Sequence, residues 1–179
     1  MANIILVMGL PGSGKSTLSN KLAQKIGADH FRSDEIRAKY NDWDFSESGR
    51  RRQAERMKKL GDESRKTYAI CDFICPKKDY RNIINPKYTI WMDTIAKGRY
   101  EDTNEIFEKP DNKLDYHFKE FKSDEYTKII AKDLIQFDWK KPTVQMLGRW
   151  QPWHDGHYAL FERCYQKTGQ VVIQVRDVE

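Results

Sequence analysis

Long apolar runs are missing from this sequence. None approaches the roughly 20 residues that a membrane-spanning helix requires, although 39% of the 179 residues are hydrophobic. The first three residues lead directly into a strand pattern, without the charged start and the cleavage site of a signal peptide. These absences predict a soluble, cytoplasmic protein with no membrane partner.

Cysteine is scarce and odd in number, because the chain has only Cys71, Cys75 and Cys164. Along a strand, Cys71 and Cys75 would lie about 13 Å apart, which is too far for a disulfide. No histidine or further cysteine stands nearby at the spacing of metal ligands, so the pattern disfavours a zinc site. We therefore expect three reduced thiols.

The length of 179 residues suffices for one α/β domain with a small addition. The net charge is +5, and basic residues cluster between positions 50 and 59. Such a run is typical of a solvated helix face, of a site for an anionic small molecule or of a nucleic-acid surface. No aromatic-interleaved basic motif accompanies it, so nucleic acid is the least favoured partner. The clustered residues are Arg50, Arg51, Arg52, Arg56, Lys58 and Lys59.

Strand and helix patterns alternate along the first 137 residues. The nearly continuous apolar run Asn3–Met8 predicts a strand buried on both faces. Lys15–Ile26 has helical spacing and is followed by the stop signal Gly27. The alternation predicts an α/β fold with a parallel sheet flanked by helices. Further strands are expected at 29–32, 67–74 and 88–92. Two further helices are expected, one capped by Ser46 that runs toward Lys66 and one at 123–137. The apolar side of the second carries Ile129, Ile130, Leu134 and Phe137.

A compact polar stretch at 138–142 ends in proline, and the pattern restarts after it. The sequence then predicts a strand at 143–147, a helix at 158–167 and a strand at 171–175. The expected organisation is therefore a first domain at 1–137, a linker at 138–142 and a strand–helix–strand unit at 143–179.

The segment from Gly9 to Ser16 fits the phosphate-loop pattern of glycine, four residues, glycine, lysine and serine. It lies between a predicted strand and a predicted helix, where backbone N–H groups can converge on phosphate oxygens. Lys15 would neutralise the β and γ phosphates of ATP, and Ser16 would ligate Mg²⁺. The predicted nucleotide-binding residues are Gly9, Gly12, Ser13, Gly14, Lys15, Ser16 and Thr17.

A phosphate loop alone does not separate kinases from GTPases or motor ATPases. The Asn-Lys-x-Asp motif that reads guanine in GTPases is absent from the sequence. The short chain also leaves little room for motor machinery. The pattern therefore favours an ATP-dependent kinase.

Two segments after the second predicted strand bear on the acceptor of such a kinase. Arg-Ser-Asp-Glu-Ile-Arg occupies 32–37, and Asp-Phe-Ser-Glu at 44–47 leads into Arg50. Here the chain resembles adenylylsulfate kinases, and the resemblance continues through Phe-Ile-Cys-Pro at 73–76 and Trp-Met-Asp-Thr at 91–94. It spans roughly residues 3 to 110.

The resemblance implies transfer of the γ-phosphoryl of ATP to the 3′-hydroxyl of adenylylsulfate. It implies that Asp34 orients magnesium or the acceptor hydroxyl, and that Arg37 and Arg50 hold the anionic acceptor. Phe45 would stack on the adenine of the acceptor. Gln53 stands where the family usually has asparagine and would also contact the acceptor. These roles also suit the side chains on physical grounds, because a carboxylate can orient a nucleophile and arginines bind oxyanions through paired hydrogen bonds.

The sequence departs from the family at several positions. Arg32 replaces the first Asp of its Asp-Gly-Asp segment, and the Phe-Thr-Gly segment after its mobile lid is missing. A hydrophilic stretch at 97–104 stands there instead, in which Arg99 is a candidate lid arginine. These differences leave open another small-molecule acceptor, a polynucleotide 5′-hydroxyl, or a non-catalytic nucleotide-binding module of a longer protein.

Asp72 closes an apolar strand at a position where many phosphate-loop enzymes keep an acidic residue for magnesium. The alternative is an aspartate that hydrogen-bonds at a strand end. With Ser16 and Asp34, it completes the predicted metal-binding set.

The segment 148–157 reads Gly-Arg-Trp-Gln-Pro-Trp-His-Asp-Gly-His. It resembles the first loop of nucleotidylyltransferases of the nicotinamide-mononucleotide adenylyltransferase type, and the resemblance implies that His154 and His157 contact phosphate. A complete Rossmann-like domain of that family needs more strands and a second basic motif. We therefore expect a partial unit without transferase activity of its own, either part of a longer bifunctional protein or an element for docking or homodimer formation.

Overall fold

The computed structural model describes residues 2–110, 114–135, 140–150 and 152–176. The chain divides into two compact units, Met1–Leu134 and Ile135–Glu179, and each is described by itself. Phe137, the first residues of the predicted linker and Gln151 lie outside the described ranges.

The first unit is built on one parallel sheet, which confirms the predicted α/β fold. Its strands are β1 (Asn3–Met8), β2 (Asp29–Arg32), β3 (Tyr68–Asp72), β4 (Tyr88–Met92) and β5 (Tyr116–Phe118). They lie in the order β2-β3-β1-β4-β5. The sequence did not predict β5, since three residues are too few to show an alternating pattern.

Helices flank this sheet, and their ends follow local signals. The Ser46 side chain caps α3 by accepting a 3.2 Å hydrogen bond from the Gly49 N–H. The last helix differs from the prediction because Ile129 is 42% exposed, whereas Ile130 is buried. The helices are α1 (Lys15–Ile26), α2 (Ser33–Lys39), α3 (Glu47–Glu63), α4 (Lys78–Ile84), α5 (Glu101–Ile106) and α6 (Ser123–Leu134).

Strand β1 lies at the centre of the sheet and is buried on both faces. Leu6 belongs to the apolar cluster that includes Met57 of α3 and Ile84 of α4. Val7 belongs to a second cluster that includes Leu18 of α1 and Ile130 of α6. Burial on both sides fixes the strand, so the loop that follows Met8 leaves the carboxyl edge of the sheet from a rigid base.

The second unit is a parallel strand–helix–strand arrangement of β6 (Val144–Gly148), α7 (Asp155–Thr168) and β7 (Val171–Val175). Helix α7 begins before the predicted Tyr158. The reason is a cap, since Nδ1 of His154 accepts a 3.2 Å hydrogen bond from the Gly156 N–H.

The cysteines are free thiols, and Cys71 and Cys75 are buried in the first unit. Burial raises the pKa of the Cys71 thiol to about 12. Within the ranges that the structure describes, no helix has both the length and the hydropathy needed to cross a membrane.

Candidate active site

The loop between β1 and α1 has the backbone conformation that its glycines predict. Gly9, Gly12 and Gly14 all have positive φ, at +144°, +94° and +86°. A Cβ on Gly9 would lie 2.3 Å from the carbonyl oxygen of Met92, closer than any side chain could approach. The loop therefore requires glycine for close packing as well as for its turn.

Lys15 closes this loop from within. Its Nζ donates a 2.9 Å hydrogen bond to the carbonyl oxygen of Leu10, which also accepts the N–H of Ser13 at 3.1 Å. Burial lowers the pKa of Lys15, and the charges of Asp72 and Asp34 oppose that shift. The ammonium group is thus held where it could exchange a backbone carbonyl for phosphate oxygens.

The segment that follows strand β4 braces the loop from the side. The hydroxyl of Thr94 donates a 2.8 Å hydrogen bond to the carbonyl oxygen of Ser13. The Ser13 Oγ is buried and has no hydrogen-bond partner among the described residues. A polar atom left in this way inside a loop of convergent N–H groups is suited to a polar ligand.

Asp72 is the buried member of the predicted magnesium-binding set. Asp72 is 4% exposed, and its Oδ2 has no hydrogen-bond partner in the described part of the chain. The His30 Nε2 lies 3.5 Å from that oxygen. Ser16 and Asp34 line the same cavity as Asp72. A hydroxyl and two carboxylates offer oxygen atoms of the kind that Mg²⁺ prefers, but among the described residues no three His, Cys, Asp or Glu side chains are grouped as metal ligands.

A cavity of about 880 Å³ runs from the phosphate loop across to α2 and α3. It brings together predicted residues from five separate segments of the chain. Trp43, Tyr100 and Asp102 also line it, although no sequence motif predicts them as site residues. The predicted residues that line the cavity are Gly12, Gly14, Lys15, Ser16, Thr17, Asp34, Arg37, Phe45, Arg50, Asp72 and Arg99.

Arg37 is almost fully buried, with 2% of its surface exposed. Its Nη1 donates to the carbonyl oxygens of Asp42 at 2.9 Å and Asp44 at 3.0 Å. Its guanidinium carbon lies 4.7 Å from the centre of the Phe45 ring. Arg37 therefore holds the loop that carries Phe45, a role in addition to the predicted contact with the acceptor.

Asp42 is the centre of an ion network that fixes the same loop. Its carboxylate accepts from Arg52 at 2.9 and 3.0 Å and from Arg56 at 3.0 Å. Hydrogen bonds from Arg52 and Arg56 hold the pKa of Asp42 well below its usual range. Two arginines of the basic run therefore serve the architecture of the loop.

Arg50 faces the cavity beside Phe45. Its Nε donates to the carbonyl oxygen of Phe45 at 2.8 Å, and its Nη2 donates to Oδ2 of Asp102 at 3.0 Å. The Phe45 ring is 51% exposed and lies 6.5 Å from the Trp43 ring, measured between centroids. An exposed aromatic ring between two guanidinium groups can bind a flat group that carries a negative charge.

Gln53 does not lie where the resemblance implied. It is fully buried, and its Nε2 donates to the carbonyl oxygen of Ser33 at 3.1 Å. Its Oε1 accepts from Nη1 of Arg56 at 2.6 Å. Gln53 is not among the residues that line the cavity. It supports the start of α2 at Ser33, directly before Asp34.

The segment 97–104, which we call the strap, crosses from the phosphate loop toward α3. Asn104 ties it into a turn, because its side chain accepts from the Gly98 N–H at 2.8 Å and donates to the Gly98 carbonyl at 3.0 Å. A Cβ on Gly98 would lie 2.8 Å from Cδ of Pro11. The strap thus rests on the phosphate loop and exposes Arg99 at the cavity.

In the second unit, His154 and His157 lie together at the start of α7. Their ring centroids are 3.7 Å apart, and the edge of Trp150 meets His157 at 5.0 Å. Trp150 has a φ of +52°, unusual for a bulky residue. The structure therefore groups the residues of this motif, and their function stays a prediction.

Comparisons with known proteins agree with this architecture. A family model described as an AAA domain matches residues 4–75. No curated protein sequence matches the chain. The fold is similar to that of an adenylylsulfate (APS) kinase from Mycobacterium tuberculosis, solved with AMPPNP and APS; the TM-score is 0.62 at 16% identity, over 75% of this chain and 98% of that one.

Two further solved structures broaden the comparison. A gluconokinase from Sinorhizobium meliloti gives a TM-score of 0.53 at 15% identity, over 74% of this chain and 95% of that one. A shikimate kinase from Aquifex aeolicus gives 0.52 at 19% identity, over 73% and 95%. The chain therefore has the fold of the phosphate-loop kinases, and these likenesses leave the acceptor open.

Proposed function

We propose that the chain is a kinase that transfers the γ-phosphoryl group of Mg²⁺-ATP to a hydroxyl of an anionic, nucleotide-like acceptor, with the 3′-hydroxyl of adenylylsulfate as the leading candidate. One observation carries the proposal. Lys15 in its phosphate loop and the exposed Phe45 ring between Arg37 and Arg50 line the same cavity.

The donor end would use the loop N–H groups and Lys15 to bind the ATP phosphates. Ser16 and Asp72 would hold Mg²⁺, directly or through water. When bound, the ion would neutralise charge on the β and γ phosphates. Arg99 at the cavity wall would add positive charge beside the transferring group.

The acceptor end would position the nucleophile. Asp34 is exposed at the first turn of α2 and lines the cavity, so its carboxylate could orient a hydroxyl toward the γ phosphate. Phe45 and Trp43 would contact a planar base of the acceptor, and Arg50 would contact the anionic group of the acceptor. Positioning of this kind accounts for most of the catalysis in phosphoryl transfer.

Two exposed aromatic rings favour a planar acceptor over the sugar-like acids suggested by the names gluconokinase and shikimate kinase. A polynucleotide with a 5′-hydroxyl also carries planar bases. Such a polymer would neutralise several cationic groups at once, so its binding would weaken steeply with salt, whereas a single nucleotide would show a shallow slope.

A coupled assay of ADP release tests the proposal with adenylylsulfate, shikimate, gluconate and a 5′-hydroxyl oligonucleotide as acceptors. The expected result is release that depends on adenylylsulfate and disappears in Lys15→Ala. Turnover with the oligonucleotide alone would move the acceptor to polynucleotides. ATP binding without release for any acceptor would indicate a nucleotide-binding module.

For residues 143–179 we propose a partial nucleotidylyltransferase-like unit. The grouped rings of His154 and His157 at a helix start support this reading. Pyrophosphate release from a nucleoside triphosphate and a phosphomonoester tests it. We expect none from this chain, and release that is lost in His154→Ala would contradict the partial reading.

A further inference from the structure

The strap places a carboxylate on the arginine proposed to bind the acceptor. Oδ2 of Asp102 lies 3.0 Å from Nη2 of Arg50, and this ion pair joins the strap to α3 across the cavity. The Nε of the same arginine donates a hydrogen bond to the carbonyl oxygen of Phe45. Asp102 therefore occupies some of the guanidinium N–H donors that an incoming oxyanion would need.

The two ends of the strap are held differently. On the side of the phosphate loop, Gly98 lies against Pro11 and is hydrogen-bonded through its backbone to the Asn104 side chain. On the side of α3, the Asp102 side chain is 68% exposed, while that of Arg50 is 8% exposed. The arginine is thus fixed, and the carboxylate is the partner that can leave toward water.

We propose that Asp102 is a specificity-determining residue, an internal competitor that an acceptor oxyanion must displace from Arg50. The inference rests on the proposed function in placing the acceptor beside Arg50. It predicts that the acceptor carries a compact oxyanion such as a sulfate or a phosphate.

Competition of this kind discriminates by charge. An acceptor without an oxyanion finds the charge of Arg50 already balanced by Asp102, so it gains nothing from this arginine. An acceptor with an oxyanion replaces one charge-assisted contact by another and frees Asp102 to water. Removal of the carboxylate should therefore strengthen the binding of oxyanions.

Inorganic sulfate is the probe, titrated calorimetrically into the full chain at constant ionic strength. The variants are Asp102→Asn, Asp102→Ser, Asp102→Glu and a control, Glu105→Gln, which removes an exposed charge from the same helix. Each is also made in an Arg50→Ala background, which isolates the part of sulfate binding that depends on Arg50.

We expect Asp102→Asn and Asp102→Ser to bind sulfate roughly two- to fivefold more tightly, as the loss of a half-exposed ion pair allows. Asp102→Glu and Glu105→Gln should bind like the wild type, and Asp102→Asn should have no effect once Arg50 is alanine. Unchanged or weaker binding in Asp102→Asn, an equal gain in Glu105→Gln, or no Arg50-dependent sulfate binding in any variant would overturn the proposal.

The acceptor assay separates this inference from the proposed function. Tighter sulfate binding in Asp102→Asn without turnover of any acceptor would support the role of Asp102 as a competitor and contradict the proposed kinase function. Turnover of adenylylsulfate with sulfate binding unaltered by Asp102→Asn would do the reverse.

Discussion

The hydroxyl of Thr94 donates a 2.8 Å hydrogen bond to the carbonyl oxygen of Ser13 and so joins the segment that follows β4 to the middle of the phosphate loop. This bond acts across the sheet, because β4 and β1 are neighbours in it. The loop is therefore shaped by its glycines and also by a contact that lies 81 residues away in sequence.

Thr94→Val keeps the shape of this side chain and removes the hydroxyl. A hydrogen bond of this kind contributes about 0.5–1.5 kcal/mol, so the KM for ATP should rise roughly two- to tenfold. Thr89→Val removes a hydroxyl near the start of β4, away from the phosphate loop, and should leave the KM unchanged. Equal effects of both variants would point to β4 stability instead of loop geometry.

Lys15→Ala should remove most phosphoryl transfer and leave the fold intact. Its ammonium faces the loop, and its loss would cost several kcal/mol in the transition state, on the order of 10² to 10⁴ in rate. Steady-state kinetics and circular dichroism check the two halves of this expectation. Lys25→Ala, on the exposed last turn of the same helix, is the matched control. A folded Lys15→Ala protein with near-normal kcat would contradict the kinase proposal.

Asp34→Asn should lower kcat far more than it weakens ATP binding. The amide keeps the shape of the side chain, but it accepts a proton poorly and is a weak partner for magnesium. The comparison is between kcat and the Kd for ATP. Asp79→Asn removes a carboxylate from the first turn of α4, as Asp34→Asn does from α2, and should change neither. Equal losses in kcat and ATP affinity would make Asp34 a nucleotide-binding residue.

The sequence predicted the phosphate loop well because its chemistry is local. Gly9 and Gly14 lie within one short motif, and their conformations follow from the absence of a side chain. The first strands and α1 could also be predicted from the sequence, since a strand buried on both faces, such as β1, has an uninterrupted apolar run. The parallel sheet then followed from alternation alone.

The acceptor side was harder to predict because it depends on contacts between distant segments. The local sequence pattern does not predict that Arg37 donates to backbone carbonyl oxygens or that Gln53 donates to the carbonyl oxygen of Ser33. Asp102 approaches Arg50 only because the strap folds across the cavity, 52 residues along the chain. Trp43 carried one usable signal, as a large aromatic residue in a short polar loop beside Phe45.

The network around Asp42 should make stability depend on pH at the acid end. Hydrogen bonds from Arg52 and Arg56 lower the pKa of Asp42 in the folded protein below its unfolded value near 3.8. A depressed pKa means that the stabilisation is present above about pH 4 and is lost as the pH falls toward the folded pKa.

Asp42→Asn should therefore unfold more easily at pH 7 and lose less stability than the wild type between pH 5 and pH 3. Urea unfolding at a series of pH values measures both effects. Glu55→Gln, an exposed carboxylate on α3, is the control and should follow the wild-type curve. A parallel drop of Asp42→Asn and wild type on acidification would show that other carboxylates govern the acid end.

Truncation after Lys141 should leave kinase turnover measurable, because every residue that lines the cavity belongs to the first unit. The second unit is a two-stranded sheet in which Leu147 and Val175 are 68% and 54% exposed. Two parallel strands with apolar exposure are rarely stable alone, so removal of the unit should change solubility or oligomeric state. Light scattering and the ADP assay measure the two effects. His154→Ala in the full chain is the control for the motif itself and should leave turnover unchanged. Loss of turnover in a folded truncated protein would mean that the second unit takes part in the kinase reaction.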